Sequence, residues 1–194
     1  MEEELKKKLD QAVWAAHVLF QRGTVKGNTG NISIRHGDRI YISASGTCFG
    51  TLQASDFAIM DMEGKPIEKK ASKEWPLHLK VYQHKPEVEA VIHTHSTYAV
   101  LWGMQCTPGE ADCMPDVTPY LRMKLGKVGC VGYGLPGSQE LFDAFEKETD
   151  KSDGWLLQRH GTVVPGKTIL EAFYAQEELE ETARILWELE RQGK

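Results

Sequence analysis

Glu74, His93, His95 and His160 are the side chains of this 194-residue chain whose types and settings suit a divalent ion. His93-Thr94-His95 closes the apolar run Glu89-Ala-Val-Ile-His93, which reads as a short strand. Alternate residues of a strand share a face, so the two imidazoles stand ~6.5 Å apart along it and can turn towards one ion. By itself, an H-x-H pair fits an ordinary structural or surface role better. His160 follows a second apolar run, Trp155-Leu-Leu-Gln158, and precedes Gly161, at a strand-to-turn junction. Alone it also fits a satisfied or exposed imidazole. Glu74, in Ser72-Lys73-Glu74-Trp75-Pro76, stands where an acidic residue stabilises a helix start against the macrodipole. As a set the four are more specific than any one of them. Three imidazoles and a carboxylate make a tetrahedral zinc set with one unit of positive charge left over, enough to polarise a carbonyl and stabilise an enediolate.

A second group has the chemistry of an oxyanion site. Gly27-Asn28-Thr29-Gly30-Asn31 and Ser45-Gly46-Thr47, with Ser72 and Lys73, offer backbone N–H groups, hydroxyls and one ammonium. Each stretch also serves as a plain turn. Neither is the Walker sequence or G-x-G-x-x-G, which excludes a conventional nucleotide site.

These residues need elements to position them. Leu5, Leu9, Val13, Ala16 and Phe20 recur near 3.6 spacing, predicting an amphipathic helix over 2–22 that Gly23 stops. Alternation predicts a hairpin from 31–35 and 39–43 and a strand over 57–62. A helix over 74–84, ended by Pro86, precedes the strand that carries His93, and another helix begins near Ser96. Beyond a loop with Pro108, Pro115 and Pro119, the pattern predicts a strand at 128–131, a helix at 138–148 and a strand pair around 155–158 and 162–164. Thr168-Ile-Leu-Glu171 has the form of a capping box, opening a last helix that buries Leu170, Phe173, Leu179, Ala183 and Leu186. Such a mixture, without repeats or linkers, implies one α/β layered domain over residues 1–194 around a central sheet.

Composition excludes several classes. The net charge of −5, with no long Lys/Arg cluster, argues against nucleic acid, whose binding rests on neutralising phosphates. No apolar run approaches the roughly 20 residues that cross a bilayer, so no membrane partner is expected. Cys48, Cys106, Cys113 and Cys130 form no C-x-x-C pair, and the first residues, MEEELKKKLD, lack a secretory apolar stretch, so a cytoplasmic location is expected.

The order G-N-x-G-N-I-S, S-G, S-K-E, H-T-H-S and Q-R-H-G resembles the class II aldolase/adducin family across nearly the whole chain. The 3-oxo-tetronate 4-phosphate decarboxylase branch is the most similar, through Ser72-Lys73-Glu74, His95-Ser96-Thr97, Thr118-Pro119-Tyr120 and Glu178-Leu-Glu-Glu-Thr-Ala183. The resemblance implies a three-layer α/β/α fold with a central mixed, mostly antiparallel sheet, and a homotetramer with active sites between subunits. It implies one divalent ion per subunit, zinc, on His93, His95, His160 and Glu74, with Glu74 also acting as acid/base. It implies contacts from Asn28, Asn31, Ser45, Gly46 and Ser72 to the phosphate of a small phosphorylated sugar or sugar acid, and Tyr120 as a proton donor in a neighbour's site. Lys73 replaces a serine of the sugar-phosphate aldolases and is expected to pair with a substrate carboxylate or phosphate. The family's epimerases have aspartate at the position of Glu74, which argues against epimerisation. The expected activity is carbon–carbon bond cleavage by decarboxylation. The alternatives are fuculose-phosphate-type aldol cleavage, dehydration of a phosphorylated ketose, and a non-catalytic adducin-like interaction module.

Overall fold

Period-two alternation in Asn31–His36 (β1) and Arg39–Ser43 (β2) gives each strand an isoleucine row on one face, and the two strands pair antiparallel about Gly37-Asp38. The computed structural model describes residues 2–193, so Met1 and Lys194, the ends of the expected domain, lie outside the described residues. Among the described residues, β1 and β2 join Phe57–Asp61 (β3), Pro66–Glu68 (β4), Ala90–Thr94 (β5), Val128–Val131 (β6), Gly154–Leu157 (β7) and Gly161–Gly166 (β8) in one eight-stranded sheet. The strand order is β4-β3-β2-β1-β5-β8-β7-β6, and β6–β7 is the parallel pair in an otherwise antiparallel sheet.

Helices cover both faces. On one face, Ile40, Ile42, Val91, Trp155, Leu157 and Val163 pack against Trp75–His84 (α2) and Gln139–Glu146 (α5). On the other, Ile32, Ile34, Ala90 and Ile92 meet Glu2–Gln21 (α1), while Leu156 and Val164 meet Thr97–Gly103 (α3), Tyr120–Lys124 (α4) and Ile169–Arg191 (α6). The expected three layers and mostly antiparallel sheet are therefore present.

Local departures have local causes. α1 buries Ala12, Ala15, Ala16 and Leu19, whereas Leu5, Leu9, Val13 and Phe20 are only partly covered. Small alanines let the helix axis approach the sheet and turn the larger side chains to the rim. β4 is wholly exposed at the sheet edge, and its Pro-Ile-Glu sequence has no buried row to betray it. α4 lies in the proline-rich stretch read as loop. The box at Thr168 is half formed: its hydroxyl accepts from Glu171 N–H, but the Glu171 carboxylate takes the N–H of Lys167 instead. Leu170 is only partly buried.

Candidate metal centre

β5 brings His93 to the end of the sheet on the α2 face, opposite Asn31 of β1 and Val163 of β8. His95 follows one step past the strand. His160 comes from the β7–β8 turn, where Arg159 adopts φ 57°, a left-handed conformation that costs a non-glycine residue roughly 1–2 kcal/mol and reverses the chain sharply. Gly161 next to it admits close approach, since a Cβ there would lie 2.0 Å from Thr94 O. Glu74 caps α2, yet its carboxylate makes no capping bond; Ser72 Oγ accepts the Glu74 N–H at 3.4 Å, and the carboxylate turns to the imidazoles.

One ligand atom from each of Glu74, His93, His95 and His160 lies within 4.8 Å of the others. Glu74 Oε2 is 3.1 Å from His93 Nε2, and Glu74 Oε1 is 3.1 Å from His160 Nε2. His93 Nε2 and His95 Nε2 approach to 3.0 Å. The His93 Nδ1–H donates to Thr162 O at 2.7 Å, so its Nε2 presents a lone pair. Glu74 is 3% and His160 6% exposed, and both Glu74 Oε1 and His160 Nε2 lack a hydrogen-bond partner. Buried polar atoms without partners are costly. Lone pairs converging on one point fit a cation bound between them, and a nitrogen-rich, carboxylate-completed set fits a first-row divalent metal.

The electrostatics agree. Burial raises the Glu74 carboxyl pKa, but contacts with His160 and His93 outweigh burial and hold it well below the usual carboxylate range. Burial, with the neighbouring imidazoles and the Lys73 ammonium, pushes His95 down to about 3 and His160 down as well. The carboxylate is thus ionised and these two imidazoles neutral at pH 7, the forms that bind metal.

The expected oxyanion residues occupy three segments at the same end of the sheet. Asn28 is exposed before β1; Ser45 and Gly46 are exposed after β2; Ser72 and Lys73 precede α2. A bridge between Ala44 and Ala71 and the Ser45 N–H to Lys70 O bond of 2.9 Å tie the last two segments together. Lys73 Nζ reaches Pro136 O at 3.2 Å. Asn31 is 2% exposed and already engaged, its amide donating to Glu74 Oε2 at 3.3 Å. Tyr120 is 56% exposed at the start of α4, and among the described residues no hydrogen bond joins it to the cluster.

Sequence reasoning passed over the supports of the site. His78, Ser33 and Tyr82 form a buried polar row behind Asn31. Glu180 of α6 accepts the Tyr98 and Ala99 N–H groups at 2.9 Å each, capping α3 just beyond His95 in place of Ser96, whose hydroxyl has no partner. The signal for the first was Asn-x-Ser on a strand facing Glu-x3-His-x3-Tyr on a helix. For the second there was none, because the cap crosses 81 residues or more of sequence.

The family description "Class II Aldolase and Adducin N-terminal domain" matches residues 10–187. A 3-oxo-tetronate 4-phosphate decarboxylase of Pectobacterium atrosepticum is 37% identical over 172 residues, covering 87% of this chain and 78% of that protein. An L-fuculose phosphate aldolase of Methanococcus maripaludis is 37% identical over 171 residues, covering 87% of this chain and 90% of that one. The crystal structure of YgbL from Klebsiella pneumoniae superposes with a TM-score of 0.88 at 33% identity, covering 95% of this chain and 90% of that chain.

Proposed function

Because the chain belongs to the class II aldolase and adducin family, we propose that it is a metal-dependent carbon–carbon lyase that decarboxylates a 3-oxo-tetronate 4-phosphate or a close relative. The carrying observation is the convergence of Glu74, His93, His95 and His160, with buried ligand atoms that lack other partners. A non-catalytic module has no use for such a set. Zinc is the proposed ion, on the strength of three imidazoles and one carboxylate. When bound it supplies Lewis acidity to the substrate's carbonyl and neighbouring hydroxyl oxygens.

The chain's own residues do the rest. Asn31 holds Glu74 Oε2, which leaves Oε1 as the atom that accepts or returns a proton. In decarboxylation the bond to the carboxyl carbon breaks, carbon dioxide leaves, and the electron pair stays on the adjacent carbon. No base is needed at that step; Tyr120 of a neighbouring subunit, or Glu74 passing on a proton that it first takes from water, then protonates that carbon. In aldol cleavage Glu74 instead removes a hydroxyl proton before the bond breaks. Asn28, Ser45, Gly46, Ser72 and Lys73 are proposed to hold the phosphate, a role supported by their gathering from three segments at the end of the sheet that carries the histidines, and Asn31 adds to it only the amide hydrogen that Glu74 does not take. We assign the activity to one domain over 1–194, to a homotetramer and to the cytoplasm, the last supported by four free cysteines.

Aldol cleavage of a sugar phosphate is the second reading, favoured by one observation: the aldolase relative is as similar as the decarboxylase and is covered over more of its length. Zinc-loaded protein incubated with 3-oxo-tetronate 4-phosphate should release carbon dioxide and dihydroxyacetone phosphate, and a chelator should abolish both. Cleavage of fuculose 1-phosphate without carbon dioxide from the first substrate would select the second reading. Neither activity from folded, metal-loaded protein would overturn both.

A further inference from the structure

Glu74, His78 and Tyr82 stand four residues apart along α2 and its cap, ~6 Å per step. Asn31 and Ser33 stand two apart on β1, ~6.6 Å per step. The near-equal spacings let the two rows interlock, and all five side chains are buried. Ser33 Oγ lies 2.7 Å from both Tyr82 OH and His78 Nδ1. His78 Nε2 meets Asn31 Oδ1, and Asn31 Nδ2 reaches Glu74 Oε2 at 3.3 Å.

Donor and acceptor accounting gives this chain one direction. An ionised Glu74 only accepts, so Asn31 must turn its NH2 towards it and its carbonyl away. That carbonyl only accepts, so His78 Nε2 must carry the proton. Burial keeps the His78 imidazole neutral, pushing its pKa down to about 3, so Nδ1 carries a lone pair that accepts a hydrogen bond from the Ser33 hydroxyl. The Ser33 oxygen in turn accepts from the Tyr82 phenol, which burial keeps protonated.

We propose that His78 is a positioning residue: by donating from Nε2 it anchors the Asn31 carbonyl, holds the Asn31 NH2 on Glu74, and so aims the carboxylate at His93 and His160. This rests on the reading of Glu74 as ligand and acid/base. Without that donor the Asn31 carbonyl is buried with no partner, and the amide that holds Glu74 Oε2 loses its anchor, so the carboxylate loses its fixed aim at the cluster.

The test compares His78→Gln, whose amide N–H falls where Nε2–H lies, with His78→Leu, which fills the space and donates nothing. Zinc affinity is measured on the metal-free full chain by competition with a chelating dye, beside kcat and KM. The Leu variant should lose about 10–100-fold in zinc affinity, with a matching fall in kcat and little change in KM, and the Gln variant should regain most of both. A merely structural role would lower Tm in both variants and leave zinc affinity unmoved. Wild-type affinity and kcat in a folded Leu variant overturn the proposal, as do equal losses in Gln and Leu. Should the Leu variant show no cooperative thermal transition, Ser33→Ala decides: it removes the donor to Nδ1 and should cost about fivefold in zinc affinity, and no change overturns the role. Zinc affinity does not depend on substrate. A protein that shows these differences but cleaves no substrate tried would retire the lyase reading and leave the positioning role standing.

Discussion

Glu74 is under opposed forces: burial favours its neutral form, and the imidazoles of His160 and His93 favour its charge more strongly. Replacing it with the neutral isostere, Glu74→Gln, should leave part of the metal bound through three histidines while cutting turnover by about 10²–10⁴-fold. Zinc content and kcat on one preparation check this, and a fully active Gln variant would sink the assigned role. The buried histidines make a separate prediction about pH. His95 and His78 have pKa values of about 3 when folded, below the ~6.5 of an unfolded histidine. Above that value both states are neutral and the groups contribute nothing. As pH falls below it, the unfolded chain binds protons that the folded chain refuses, so stability falls by up to about 1.4 kcal/mol per pH unit for each group. Glu74 is shifted in the same direction, and the stability it contributes at neutral pH is lost as pH falls from the ordinary carboxylate range of about 4.3 towards its own, much lower, folded value. Urea unfolding of metal-free protein at pH 7, 6 and 5 should show this decline, and a flat profile would contradict it.

At the scale of elements, the site depends on β8 lying close against β5. Gly161→Ala would put a methyl 2.0 Å from Thr94 O, forcing the strands apart beside His160. A cost on the order of 1–3 kcal/mol in urea unfolding is expected, with weakened zinc binding; a change below about 0.5 kcal/mol would mean the strands yield freely. This scale also shows what could be read without coordinates. β1 and β2 announced themselves because a half-buried strand alternates, β5 and β8 as short apolar runs buried on both faces, and α6 through its apolar stripe and Thr168. Edge strand β4 buries nothing and left no pattern, and α4 is too short to show a helical period among prolines. The histidines were legible as a candidate ligand set by their place at strand ends. The Glu180 cap and the Thr162 carbonyl behind His93 were not, because contacts made across distant sequence leave no spacing to recognise.

For the whole molecule, the exposure of Tyr120, Met123 and Leu135 leaves apolar surface open in the single chain. The proposed homotetramer would run in sedimentation at four times the 21.8 kDa chain mass, and a monomer at working concentration would remove Tyr120 from any neighbour's site. Helices cover both faces of the sheet, and the cluster lies at one end of it, with His95 its one partly exposed member. Whether that cluster holds a metal is the point on which everything else depends. Elemental analysis of purified protein, beside a His93→Ala/His95→Ala double variant, measures it directly. The expected result is one divalent ion per chain in the wild type and almost none in the folded variant. Wild-type protein that takes up no ion from excess zinc, or a variant that binds as well, would contradict the account.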